Sequence, residues 1–151
     1  MFTRRIHTEL EIDAPAGAVW ETLTDLASYE EWNPNVTFAA GTLEEGTEVD
    51  LRIQPTRGRE RSITVTVTEV DPERRLRWVG TVGGRWLFEG RHTFELQPLD
   101  GGRTRFVNRE RVSGLTAPIV VRDDAARAYE AMNRALADRV EARNTASGTG
   151  D

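Results

Sequence analysis

The chain has 151 residues, with 20 arginines or lysines against 25 acidic residues, a formal net charge of −5 and no cysteine. Every one of these basic residues is an arginine, so Schiff-base chemistry and a phosphate-loop lysine are excluded. Because there is no cysteine, thiol catalysis, thiolate metal sites and disulfides are excluded as well. The net acidity argues against a nucleic acid or an anionic membrane as the main partner, since both favour a basic surface.

His7 and His92 are the only histidines, which leaves few ligands for a zinc or iron site. We therefore expect neither a metal nor a cofactor. No apolar run approaches the roughly 20 residues of a transmembrane helix, and the first residues lack the apolar core of a signal peptide. These features predict a cytoplasmic protein without a membrane span.

The first part of the chain predicts a strand followed by two short helices. Residues 5–12 alternate between apolar and polar side chains, which is typical of a strand. A helix follows, with Asp13 or Ala14 near its N-cap. A second short helix ends at Trp32, because Pro34 cannot continue it and disfavours helical backbone in the residue before it.

The middle of the chain predicts a series of strands without intervening helices. The alternating segments are 36–40, 47–54, 61–70, 76–82, 86–96 and 103–114. Short turns rich in glycine, proline and aspartate separate them, and Asp100-Gly101-Gly102 is a typical hairpin turn. Such an order predicts an antiparallel meander. With the first strand included, we expect a sheet of six or seven strands.

The end of the chain changes to helical spacing. From about Pro118 to Arg143, apolar residues recur three and four positions apart: Ala125, Tyr129, Met132, Leu136 and Val140. Residues 144–151 are expected to form a disordered tail. The whole order predicts an α+β fold, with a curved antiparallel sheet wrapped around a long C-terminal helix. We expect one domain over residues 1–143, with a cavity between sheet and helix.

The hairpin formed by the last two strands has an apolar face that is interrupted by His92, Asn108 and Glu110. Polar groups on an inward face must be hydrogen-bonded to protein, water or a ligand. In one interpretation Glu110 holds His92 in one tautomer, and this dyad orients or deprotonates a bound ligand. In the other, the three residues form a structural network that closes the cavity floor.

A set of aromatic residues is the second candidate feature: Trp32, Phe38, Trp78, Trp86, Phe88 and Tyr129. These side chains either line a pocket for a flat or apolar small molecule or belong to an ordinary core. The predicted ligand-binding residues are Trp32, Phe38, Leu51, Trp78, Phe88, His92, Asn108, Glu110, Tyr129 and Met132. His92 and Glu110 are the candidate catalytic residues. On the outer face of the hairpin, arginines alternate with glutamates, which favours a solvated surface with cross-strand pairs over an anion site.

Four segments carry a resemblance to a known superfamily: IDAPAGAVWETLTDLASYEEWNP (12–34), FEGRHTFEL (88–96), FVNRERVSGL (106–115) and AMNRALADRVE (131–141). They resemble the helix-grip proteins called START-like or SRPBCC, and within them the polyketide cyclase/dehydrase-like branch. The resemblance implies a seven-stranded sheet gripping the last helix around a deep cavity. Its members range from lipid and hormone carriers to aromatase/cyclases, oxygenase subunits and chaperone activators, so fold alone does not define activity.

Three functions stay open at this point. The first is binding of a small hydrophobic or aromatic ligand between the sheet and the C-terminal helix, with His92, Asn108 and Glu110 orienting one polar group. The second is an aromatase/cyclase-type enzyme, in which His92 or Glu110 relays a proton during aldol closure and dehydration. The third is a protein-interaction module that uses the outer face of the sheet.

Overall fold

The computed structural model describes residues 2–55, 58–120 and 125–149. Seven strands are present: β1 (Phe2–Ile12), β2 (Val36–Ala40), β3 (Glu48–Ile53), β4 (Arg61–Asp71), β5 (Arg75–Val82), β6 (Phe88–Leu99) and β7 (Arg103–Gly114). The helices are α1 (Ala16–Thr24), α2 (Tyr29–Trp32), α3 (Ala117–Val120) and α4 (Ala125–Thr149), with a 3-10 turn at Leu26–Ser28 between α1 and α2.

The strands form one antiparallel sheet in the order β1-β7-β6-β5-β4-β3-β2. Strands β2 to β7 follow one another as a meander, and β1 pairs with β7 at the other end of that order. Helix α4 contacts β1, β7, α1 and α2. The predicted helix-grip α+β fold, with two short helices after the first strand, is confirmed.

The main core lies between the inner face of the sheet and the apolar stripe of α4. Phe94 and Phe106 of the hairpin are fully buried there with Leu136 and Val140 of the helix. Burying one such side chain contributes about 1.5–3 kcal/mol, so neither the sheet face nor the helix stripe is stable in water without the other. This packing fixes α4 across the hairpin that carries the candidate residues.

A smaller apolar cluster lies beside the start of α4. Ile6, Val112 and Ala117 are its buried members. Phe88, Ala125, Ala126 and Tyr129 are partly buried against it. Because this cluster joins the first residues of β6 to the first turns of α4, it marks one end of the interface between sheet and helix.

Two predicted boundaries near the start of elements differ from the structure. Helix α1 has Pro15 as its N-cap rather than Asp13 or Ala14, and the Pro15 carbonyl accepts hydrogen bonds from the amides of Ala18 and Val19. Strand β6 begins at Phe88, two residues later than predicted, because the preceding residues form the turn after β5.

The C-terminal helix differs from the prediction at both ends: α4 begins at Ala125, with the separate α3 over Ala117–Val120, where the sequence predicts one helix from about Pro118. Helix α4 continues through Thr149, so residues 144–149 are helical where the sequence predicts disorder, and the last two residues lie outside the described range. No strong helix breaker occurs between Arg143 and Gly148, which allows the helix to continue. The domain boundary at residue 143 stays a prediction. Within the described segments, no helix is both long and apolar enough to cross a membrane.

Candidate functional site

His92 and Glu110 face each other on the inner side of the β6–β7 hairpin. The two residues are directly paired in the strand register, as are Gly90 with Val112 and Phe94 with Asn108. Since side chains alternate between the two faces of a sheet, this register puts the candidate pair on the same inner face as buried Phe94. The alternation in the sequence therefore predicts their placement correctly.

A chain of hydrogen bonds runs from His92 across the core. His92 Nε2 lies 2.6 Å from Asn108 Oδ1, and Asn108 Nδ2 donates to Asn133 Oδ1 at 2.9 Å. Asn133 Nδ2 then donates to Thr8 Oγ1 at 2.8 Å, and the Thr8 hydroxyl donates to the Asn108 carbonyl at 2.9 Å. Both asparagines and Thr8 are buried. The chain joins β6, β7, α4 and β1.

The direction of every bond in this chain is fixed from its far end. A backbone carbonyl only accepts, so Thr8 must donate its single hydroxyl proton to Asn108, and Asn133 must donate to Thr8 through its amide nitrogen. The Asn133 oxygen therefore faces Asn108 and accepts from the Asn108 amide nitrogen. Asn108 Oδ1 is left facing His92, which must donate. The proton of neutral His92 consequently sits on Nε2, and Nδ1 carries the lone pair.

Aromatic rings surround the imidazole of His92. Its centroid lies 4.3 Å from the stacked ring of Phe94, 5.2 Å from Tyr129 and 6.2 Å from Trp78. Burial lowers the pKa of His92 to about 4, although the hydrogen bond to Asn108 acts in the opposite direction. His92 is therefore neutral near pH 7. Its Nδ1 atom makes no hydrogen bond with any residue that the structure describes.

Glu110 lies over Gly90, with its carboxyl free of protein partners. A Cβ atom built on Gly90 would meet Glu110 Oε1 at 2.8 Å and the ring of Phe88 at 3.6 Å, so only glycine leaves room for the carboxyl at this point. Burial raises the pKa of Glu110 to about 7. Across the described residues, the carboxyl is in neither an ion pair nor a hydrogen bond. Near pH 7 it is present in both protonated and ionised forms.

The partner of His92 differs from the predicted one. Asn108, and not Glu110, holds the imidazole in one tautomer, and no hydrogen bond joins His92 to Glu110 in the described part of the chain. Of the two interpretations drawn from the sequence, the structural hydrogen-bond network explains the role of Asn108. His92 Nδ1 and the Glu110 carboxyl, both on the inner face, take no part in this network.

The other predicted ligand-binding residues divide into three groups. Trp78 and Tyr129 contact the His92 ring, and Phe88 lies beside the carboxyl of Glu110. Met132 is buried next to Asn108, with its sulfur 3.6 Å from the amide nitrogen. Leu51 is buried in the main core, and Trp32 packs against that core with its ring 5.2 Å from Tyr29.

Phe38 is wrongly assigned to the inner face by the sequence. It is 41% exposed and lies under the guanidinium of Arg52, which is 5.4 Å from its ring. A register shift between Val36 and Phe38 interrupts the alternation of β2, so that Val36 and Ala39 are the buried residues of this strand. Trp86 is also exposed, in the connection between β5 and β6. Neither aromatic residue lines the inner site.

Thr8 and Asn133 belong to the site but escape the sequence prediction. Each is a polar residue on an otherwise apolar stripe: Thr8 lies between Ile6 and Leu10 on the inward parity of β1, and Asn133 follows Met132 on α4. The signal that could have identified them is the one that identifies His92, namely a polar side chain on a face destined for the core.

Two buried donors near the end of α2 have no partner in the described structure. They are Trp32 Nε1 and Asn33 Nδ2. The oxygen of the Asn33 side chain accepts from the amides of Asn35 and Val36, both at 2.9 Å, which closes the predicted turn. Asn35 in turn donates to the Ala128 carbonyl at 2.7 Å and ties this turn to α4.

The predicted deep cavity is not shown by the described residues. Two depressions, of about 240 and 320 Å³, lie on the outer side of the sheet. The first is lined mainly by arginines of β1, β5, β6 and β7, and the second by Phe38 and its neighbours on β3 and β4. The inner site is thus defined by its residues and not by a measured volume.

Comparisons with known proteins agree with this architecture. The Zhui aromatase/cyclase from Streptomyces sp. R1128 is 22% identical, with a TM-score of 0.73 over 97% of this chain and 99% of that one. A START superfamily protein from Mycobacterium smegmatis is 20% identical, with a TM-score of 0.74 over 91% and 97% of the two chains. A norcoclaurine synthase mutant from Thalictrum flavum, in complex with a transition-state analogue, is 17% identical, with a TM-score of 0.71 over 95% and 97%.

At these identities the similarity establishes the fold alone. No curated protein matches the chain. The sequence profile described as "Polyketide cyclase / dehydrase and lipid transport" matches residues 3–143, which include every strand and most of α4. The chain therefore belongs to the polyketide cyclase/dehydrase and lipid transport family, within the START-like helix-grip superfamily.

Proposed function

We propose that the protein binds a small hydrophobic or aromatic ligand on the inner face of the sheet, between the β6–β7 hairpin and the first turns of α4. One observation carries this proposal: His92 Nδ1 and the Glu110 carboxyl face inward without protein partners in the described chain, among the rings of Phe88, Phe94 and Tyr129. Both side chains are half-buried, so solvent reaches these polar atoms in the free protein. A ligand that displaces this solvent would have to supply a hydrogen-bond partner to each of them.

The two groups define the polar end of such a ligand. Nδ1 can only accept a hydrogen bond, because the tautomer of His92 is fixed by Asn108. The protonated carboxyl of Glu110 can donate, and its ionised form can accept. A hydroxyl on an aromatic ring satisfies both groups, since it donates to Nδ1 and accepts from the acid. Ring contacts with Phe88 and Tyr129 would each add about 0.5–1.5 kcal/mol beyond simple burial.

The test compares a phenol with its methyl ether. We expect 1-naphthol to bind in calorimetry and to raise the melting temperature, and 1-methoxynaphthalene to bind up to about tenfold more weakly, because it cannot donate to Nδ1. The control variant is Phe38→Ala, which alters an exposed aromatic residue on the outer face and should leave binding unchanged. Failure of a whole panel of aromatic ligands, together with an empty protein in native mass spectrometry, would contradict the proposal.

A second candidate function is proton transfer to or from the ligand, as in an aromatase/cyclase-type enzyme. The observation in its favour is the pKa of Glu110, which burial raises to about 7, because a general acid or base works best with a pKa near the working pH. Binding requires fewer assumptions and stands first. Turnover of a poly-carbonyl substrate that is unchanged in both His92→Ala and Glu110→Gln would exclude the catalytic role. We expect no cofactor, and a cytoplasmic location stays a prediction.

A further inference from the structure

We infer that the end of the sheet beside the inner site docks onto the surface of an anionic lipid bilayer. The first observation is a group of exposed apolar side chains, which we call the apolar rim: Phe2, Val82, Trp86 and Leu115. They are 55%, 55%, 58% and 50% exposed. Among the described residues, they make up four of the five large apolar side chains with such exposure, and only Phe38 lies elsewhere.

The topology brings the rim together at one end of the sheet. Phe2 starts β1 and pairs with Gly114 at the end of β7. Val82 ends β5 and pairs with Phe88 at the start of β6, and the amide of Leu115 donates to the carbonyl of Trp86 at 3.1 Å. We call this the rim end. Single exposed apolar residues are common on protein surfaces, but a contiguous group marks an interaction site.

A row of arginines crosses the outer face of the sheet next to the rim. Arg5 on β1 pairs with Arg111 on β7, which pairs with Arg91 on β6, and all three side chains are exposed. Neighbouring strands are about 4.8 Å apart, and like charges directly opposite each other destabilise a sheet. Glu89 is 3.8 Å from Arg91. Arg5 and Arg111 have no acidic partner among the described residues.

The arginines of the next row of the same face are paired with carboxylates, which they share with Arg75. Arg109 binds Glu95 at 2.9 Å, and Arg77 lies 3.6 Å from Glu69. Each of these two arginines thus has a carboxylate within the protein, whereas in the row nearest the rim only Arg91 has one and Arg5 and Arg111 have none among the described residues. Both rows border the depression of about 240 Å³ on this face. Arg5 and Arg111 are therefore the arginines positioned to meet anionic groups from outside.

Charge also differs between the two ends of the sheet. The described connections at the end opposite the rim contain five exposed acidic residues and one basic residue: Asp13, Glu44, Glu45, Glu73, Asp100 and Arg74. Those at the rim end contain Arg59, Glu60 and Arg85. The net charge of −5 argues against an anionic membrane only if the charge is evenly spread. Its distribution would orient the rim end toward an anionic surface and the acidic end away from it.

A bilayer surface fits this combination of residues. Exposed aromatic and aliphatic side chains insert at the boundary between headgroups and acyl chains, while arginines bind anionic headgroups. The same surface would be a source of apolar ligands, because Phe88 beside Trp86 belongs to the cluster that borders the inner site. The docking itself does not depend on the proposed ligand binding, and the two are tested separately.

The experiment measures sedimentation of the full chain with phosphatidylcholine vesicles, with and without phosphatidylglycerol. We expect binding to the anionic vesicles that weakens as salt is added. Each arginine near an anionic surface contributes roughly fivefold in affinity, so Arg5→Gln with Arg111→Gln should weaken binding by roughly 30-fold. Trp86→Ala with Leu115→Ser should weaken it at least about tenfold.

Two matched controls lie away from the rim. Phe38→Ala removes an exposed aromatic residue of a different surface, and Arg74→Gln removes an exposed arginine at the opposite end. Both should bind vesicles like the unaltered protein. Docking is overturned if the anionic vesicles fail to bind, if the controls lose as much affinity as the rim variants, or if soluble polyglutamate binds with the same arginine dependence and vesicles do not. Binding of 1-naphthol by the rim variants shows independently whether the inner site is intact.

Discussion

The ionisation of Glu110 should cost the protein stability between acidic and neutral pH. Burial raises its pKa from 4.5 to about 7, so the folded protein holds this proton more tightly than the unfolded chain does. The free energy of unfolding is therefore greatest while Glu110 is protonated, and the loss grows as pH rises from about 4.5 to 7. This shift corresponds to about 3 kcal/mol at most, and solvent access to the partly exposed side chain reduces the cost to about 1–3 kcal/mol.

The variant Glu110→Gln isolates this cost, because glutamine keeps the shape of the side chain and cannot ionise. At pH 4 the two proteins should have similar free energies of unfolding. At pH 8 the variant should be more stable by about 1–3 kcal/mol, which corresponds to roughly 2–10 °C in melting temperature for a chain of this size. His92, which faces Glu110 from β6, titrates in the opposite sense. Its neutral form contributes fully to the free energy of unfolding above pH 6.5, and this contribution is lost as the pH falls towards 4.

The assay is urea unfolding followed by tryptophan fluorescence at several pH values between 4 and 8. The difference between variant and unaltered protein matters, since it cancels the titration of groups that both share. Glu48→Gln at the exposed start of β3 serves as the control for the loss of a surface carboxylate. If the difference for Glu110→Gln varies with pH no more than that of this control, the Glu110 carboxyl is not held in a desolvated position, and the argument for a ligand at that carboxyl fails.

Two further substitutions probe the framework of the site. Asn108→Ala should cost about 2–4 kcal/mol in urea unfolding because it leaves buried hydrogen-bond partners unpaired, and nitrogen NMR shifts of His92 should change from a single Nε2–H tautomer to a mixture. An unchanged tautomer would show that Asn108 does not set it. Gly114→Ala should cost more than about 2 kcal/mol, since φ is 117° and a Cβ atom would clash with the carbonyl oxygen of Leu87. Gly101→Ala, in an open turn at φ 78°, should cost only about 1 kcal/mol, and equal costs for the two would contradict the steric explanation.

The placement of His92 opposite Glu110 could be predicted because strand alternation and a short hairpin turn together fix the register. The hydrogen-bond partner could not, because both Glu110 and Asn108 lie on the neighbouring strand. Burial decides between them. A charged pair of imidazolium and carboxylate would have to leave water, whereas the amide of Asn108 pairs with neutral imidazole at no such cost.

Two other features depend on local or long-range geometry that periodicity does not encode. The register shift before Phe38 reverses the faces of the residues that follow it, so that Phe38 is exposed and Ala39 is buried, and nothing in the alternation of β2 indicates it. The rim end consists of residues from three distant parts of the chain, which become neighbours only in the folded sheet. A net charge summed over the sequence therefore conceals the contrast between the two ends of the molecule.

The hydrogen bonds that close the helix onto the sheet are also those that define the chemistry of His92. Asn133 and Thr8 are separated by 125 residues in the sequence, and their contact holds α4 against β1. The same contact orients Asn133, then Asn108, and finally the proton on His92. If a displacement of α4 broke this contact, the proton of His92 would no longer be fixed on Nε2, and Nδ1 would then not always be a hydrogen-bond acceptor. The acceptor that we assign to the ligand therefore exists only while the sheet grips the helix, which couples recognition to the closed fold.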